Sequence, residues 1–135
     1  MKMHRVVLAA LVVPSFLGLV GTGKGAGDDA PKFKADVMPI IQKYCLPCHA
    51  AESFNPSELA LDDHASLIKG GEHGTAVIPG KPEESLLVKK VMADPPFGKR
   101  MPVQKRRKSP EPPVQLTDDE VKVVQEWIRA GAKND

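Results

Sequence analysis

The chain has two cysteines, and they stand together: Cys45-Leu46-Pro47-Cys48, followed at once by His49. Residues three apart at a helix end project the same way, so both sulfurs face one side and the next ring projects beside them. Four chemistries use such a pair. A disulfide clasp needs only an oxidising compartment. A thioredoxin-like couple sits after a strand in a βαβ unit. A structural zinc site takes four ligands. A c-type haem takes two thioethers from the cysteines and an axial iron ligand from the histidine.

The flanking sequence bears on the choice. Met1 to Arg5 carries Lys2 and Arg5, and Val6 to Val20 is then almost wholly apolar before Gly-Thr-Gly-Lys-Gly-Ala-Gly. This pattern reads as a signal peptide over 1–26, with cleavage between 22 and 30. The apolar run contains Pro14 and falls short of the roughly 20 residues that span a bilayer, so membrane contact is expected only if the segment stays uncleaved. An exported chain places the cysteines in a periplasmic or otherwise extracytoplasmic setting. Its loss removes Lys2, Arg5 and Lys24 and no acid, turning a formal charge of +2 into −1. That balance gives no reason to expect a nucleic-acid partner.

No strand-like alternation of useful length appears, and the expected fold class is all-α. Phe33, Val37, Ile40, Ile41 and Tyr44 recur at three- and four-residue spacing and predict a first helix over 33–45. Pro39 either bends that helix or starts its regular part near Met38. A short helical turn is expected at 63–69, ended by Gly70-Gly71, and a second helix over 83–93 burying Leu86, Leu87, Val91 and Met92. Thr117-Asp118-Asp119-Glu120 is a capping box. It opens a last helix whose apolar half carries Val121, Val123, Val124, Trp127, Ile128 and Ala130, and Gly131 ends it. Only 4% of the residues are aromatic, which suits one small domain and leaves little for a second core.

In this helical setting the thioredoxin reading lacks its strand. The zinc reading has only His64 and His73 to add to the thiols, without a tight second pair. Haem attachment fits best, with Cys45 and Cys48 as the anchors and His49 as the proximal ligand. For the distal ligand Met101 leads: it lies in a loop and is followed by Pro102. Met92, His64, His73 or a vacant position are the alternatives, while Met38 reads as packing or exposed. His64 and His73 read as exposed loop histidines.

An ordered series of motifs surrounds the haem sequence. Val37-Met38-Pro39-Ile40-Ile41 precedes it; Leu59-Ala60-Leu61-Asp62, Gly70-Gly71, Pro79-Gly80-Lys81-Pro82-Glu83-Glu84-Ser85-Leu86-Leu87, Arg100-Met101-Pro102, Leu116-Thr117-Asp118-Asp119-Glu120 and Trp127-Ile128-Arg129-Ala130-Gly131-Ala132 follow. This series resembles the planctomycete-type cytochrome c family. The resemblance implies a helical cytochrome c domain over 33–132, one covalent haem c with its iron, His49/Met101 ligation and an electron-transfer role rather than an enzymatic one. The chain departs from the family at Val103, where another proline is common, and in a basic, proline-rich loop at about 99–115.

That loop contains Lys99, Arg100, Lys105, Arg106, Arg107 and Lys108 with no acid among residues 99–108. It reads either as solvated loop or as a patch that docks acidic redox partners beside Met101. Two rival functions remain: a haem enzyme or ligand sensor with an open distal position, as in a peroxidase, and a haem-free module holding a disulfide or zinc at Cys45 and Cys48.

Overall fold

A computed structural model describes residues 29–103 and 114–135. The expected signal peptide and Lys105, Arg106, Arg107 and Lys108 lie outside the described residues. Within them the regular structure is helical, with no strand: a π-helical turn at Phe33–Val37, α1 at Met38–Tyr44, a 3-10 turn at Pro56–Glu58, α2 at His64–Lys69, α3 at Leu86–Val91 and α4 at Asp118–Arg129. The expected all-α class is observed. No described helix is long and apolar enough to cross a membrane.

Pro39 explains the first element. Lacking an N–H, it is tolerated only in the first turn of an α-helix, and regular α-structure accordingly begins at Met38 with the proline at its start. The wider π-turn before it turns Phe33 and Val37 inward, where both are buried. α4 packs against this turn and against α3, burying Val121, Val124, Trp127 and Ile128. Each of the three aliphatic side chains contributes about 1.5–3 kcal/mol on burial.

Trp127 centres the core. Its ring lies 5.4 Å from that of Phe33 and 6.0 Å from that of His64, and its Nε1 donates to the Lys133 carbonyl at 2.9 Å. Contrary to the expectation of an exposed loop residue, His64 is half-buried in α2. Its Nε2 lies 2.7 Å from the Ala132 carbonyl and its ring sits edge-on to Phe33 at 5.0 Å. A carbonyl only accepts, so Nε2 carries the proton.

α3 is shorter than its hydrophobic pattern predicts. Lys81 to Ser85 form turns instead, and the wholly buried Ser85 donates from Oγ to the Lys81 carbonyl at 2.8 Å while accepting the Ile78 N–H at 2.9 Å. The helix then stops at Val91. Met92 therefore points to solvent, 44% exposed, where burial was expected; Val88 and Val91 take the core positions.

The capping box forms as expected, and its glutamate reaches further than the helix end. Besides accepting from the Thr117 N–H at 2.9 Å, Glu120 accepts from the Tyr44 hydroxyl at 2.7 Å and the Lys43 ammonium at 2.9 Å. It joins the start of α4 to the end of α1. Burial acts to raise its pKa, but these bonds outweigh it and hold the carboxyl at about 2. A depressed carboxyl contributes stability above its unfolded pKa that disappears as pH falls through the folded value. Glu120→Gln should cost about 1 kcal/mol at neutral pH. In thermal melts of the holoprotein, the gap between the two proteins should close as pH falls from about 4 to 2.

Candidate haem site

α1 delivers the cysteines. Its last turn continues through backbone bonds from the Cys45 and Leu46 N–H groups to the Ile41 carbonyl, at 2.8 and 3.1 Å, and His49 N–H then reaches the Cys45 carbonyl at 3.0 Å. Cys45, Cys48 and His49 are thus presented on one wound stretch, each half-buried. Ser53 braces its outer side by donating to the Pro47 carbonyl.

Two adjoining clefts, of about 690 and 590 Å³, share Cys45, His49, Val91 and Met101. Leu59, Leu61, Leu86 and Leu87 line the first; Tyr44, Cys48, Phe54, Val103 and Leu116 line the second. Leu59, Leu86, Leu87 and Met101 are only half-buried, and Leu59, Leu87 and Met101 pack at the edge of the core. Together they line the apolar side of the first cleft.

His49 Nδ1 lies 3.0 Å from the Leu59 carbonyl. That acceptor fixes the proton on Nδ1 and leaves the Nε2 lone pair for a metal, the usual support of a ligating histidine. Burial lowers the pKa of the imidazole, against the opposing pull of the Leu59 carbonyl, which favours the neutral ring that a metal ligand requires. Burial, with the neighbouring Cys48, pushes the Cys45 thiol up to about 12. Such a thiol is ill suited to a thioredoxin-like role, whose nucleophile is an activated thiolate. No group of three or more His, Cys, Asp or Glu able to hold a metal occurs among the described residues. The residues fit haem c on the chemistry present: two thiols, one oriented imidazole and one thioether around an apolar groove.

Of the alternative distal ligands, Met92 and His64 line neither cleft. His73 does line the first, its ring 4.5 Å from that of Phe97 and tilted by 48°. The sequence reading missed the Leu59 carbonyl, because main-chain acceptors leave no residue signature. It also assigned Gly70-Gly71 only to helix termination. Gly71 has a second cause: a methyl there would collide with the Ser57 carbonyl oxygen and meet the Leu59 Cα at 3.0 Å. The same approach carries a bond from Glu72 N–H to the Ser57 carbonyl at 2.8 Å.

Residues 45–102 match the model of the planctomycete cytochrome C family. It is the family that the ordered motifs resemble, and the matched stretch begins at Cys45 and includes Cys48, His49 and Met101. A search of curated proteins gives no match. A solved structure of hydrazine synthase from Kuenenia stuttgartiensis is similar at 28% identity over 76% of this chain, with a TM-score of 0.44. The aligned region spans only 16% of that protein, whose activity is its own.

The placement of His64 yields a test that separates packing from ligation. His64→Ala should destabilise the protein by about 1–2 kcal/mol through the lost Ala132 bond and ring contacts. Denaturant unfolding measures that cost, and the visible spectrum of the haem-loaded protein should stay unchanged.

Proposed function

We propose that the protein is a monohaem c-type cytochrome that carries single electrons between extracytoplasmic redox proteins. The reading is supported above all by the convergence of Cys45, Cys48, His49 and Met101 on adjoining apolar clefts, with the His49 ring oriented by Leu59. When bound, the haem supplies one-electron redox chemistry. Cys45 and Cys48 hold it through thioethers, His49 Nε2 and Met101 Sδ ligate its iron, and the leucine-lined cradle keeps water from it. A His/Met pair favours a relatively high potential and requires no catalytic side chain. The leading segment directs the chain to the extracytoplasmic side, and thioether attachment takes place there.

Lys99 is exposed and Arg100 half-exposed immediately before Met101, and four further cations follow in sequence within residues 99–108. We assign this stretch to attraction of an acidic redox partner toward the groove. Electron exchange with such a partner should slow as ionic strength rises from about 0.01 to 0.15 M, over which the screening length falls from roughly 30 to 8 Å. Stopped-flow rates that ignore salt would remove the docking role.

The deciding experiment is an optical spectrum after export from a host with haem-attachment machinery. A c-type haemochrome that survives denaturation is expected, with a methionine-to-iron charge-transfer band in the oxidised native protein and reversible reduction. Met101→Ala should abolish that band and admit carbon monoxide to the reduced protein. A colourless, folded product would overturn the haem reading. Rapid, complete carbon monoxide binding by the unsubstituted protein would favour an open-site enzyme or sensor instead.

A further inference from the structure

The loop that leads to Met101, Asp94-Pro95-Pro96-Phe97-Gly98-Lys99-Arg100, contains no helix or strand. Its backbone groups therefore need partners from elsewhere. Lys90, near the end of α3, meets two of its carbonyls and the N–H of Met101 beyond it. Its main-chain carbonyl accepts the Met101 N–H at 2.7 Å. Its ammonium donates to the Phe97 carbonyl at 2.7 Å and the Lys99 carbonyl at 2.8 Å, and lies 4.5 Å from the centre of the Phe97 ring. Lys90 also lines the first cleft beside Met101. Arg100 adds one more tie, donating from Nε to the Val91 carbonyl at 2.7 Å.

The arrangement matches the chemistry of an ammonium group, which offers three donors and an attraction for an aromatic face. The carbonyls it holds lie two and four residues before Met101, and its own carbonyl holds Met101 directly. The Lys90 and Val91 carbonyls at the end of α3 are in turn satisfied by Met101 N–H and Arg100 Nε.

We propose that Lys90 is the positioning residue for Met101: its ammonium fixes the 97–99 backbone so that the thioether stays directed into the groove. The inference rests on the reading of Met101 as iron ligand and goes beyond it by naming what holds that ligand in place. The carbonyls of exposed Phe97 and Lys99 accept water if the ammonium is removed, so loss of Lys90 loosens the loop without exposing the core.

The test uses the full haem-loaded chain. Lys90→Met is compared with Lys89→Met, which removes the same charge one position away but none of these bonds. Lys90→Arg keeps a cationic donor, and Lys90→Gln serves as a second loss variant. Lys90→Met and Lys90→Gln should weaken the charge-transfer band and speed carbon monoxide binding to the reduced protein about tenfold, equivalent to 1.4 kcal/mol. Lys89→Met should match the unsubstituted protein in both, and Lys90→Arg should recover most of the effect, while helical circular dichroism stays the same throughout. Equal behaviour of the Lys90 and Lys89 variants would overturn the positioning role. A band that survives Met101→Ala, measured alongside, would instead overturn the ligand assignment beneath it.

Discussion

The helices of this small domain bury part of their apolar surface against one another and turn the remainder toward a groove. Leu59, Leu86, Leu87 and Met101 stay half-buried around it, although aliphatic side chains of this kind ordinarily complete a core. That unfinished packing is the constraint to which everything else answers. Three short helices, one longer one and extended connections leave an interior that an apolar cofactor would complete. Elsewhere the core is closed by α4 on the opening π-turn, with Trp127 and Phe33 in contact.

Around the groove the chain relies on main-chain chemistry. The Leu59 carbonyl sets the tautomer of His49, Gly71 lets the backbone of residues 57–59 come close, and carbonyls 97 and 99 converge on one ammonium. Main-chain groups provide orientation at little cost in side-chain entropy. They also allow sequence drift at positions such as residue 59, provided the backbone path is kept.

The division between what was legible in the sequence and what was not follows from this. The capping box and apolar stripe of α4 depend on residues within one turn of each other, and they appear in the structure almost as read. The Cys-x-x-Cys-His cluster was equally plain, since its chemistry lies within five residues. Pro39 announced a disturbance, and steric exclusion from a helix interior decided its form. Met92 was misplaced because periodicity says which face a residue occupies while a helix lasts, not where the helix stops. His64 was misjudged because its partner Ala132 lies 68 positions away, beyond the reach of any local pattern. Nothing local in the sequence marks Lys90, and only the returning loop gives it a particular task.

The chain has one tryptophan, and it sits where α4, the opening turn and the Ala132 region meet, 1% exposed. The protein thus carries its own optical reporter at the junction of α4 with the opening turn. Emission from Trp127 senses the solvent reaching that junction, and energy transfer to a bound haem would darken it in the native state. Brightening on denaturation would then record separation of core and cofactor together, whereas local loosening around Met101 would leave it dim. The two kinds of motion are distinguishable by the colour of the iron and the light of one indole.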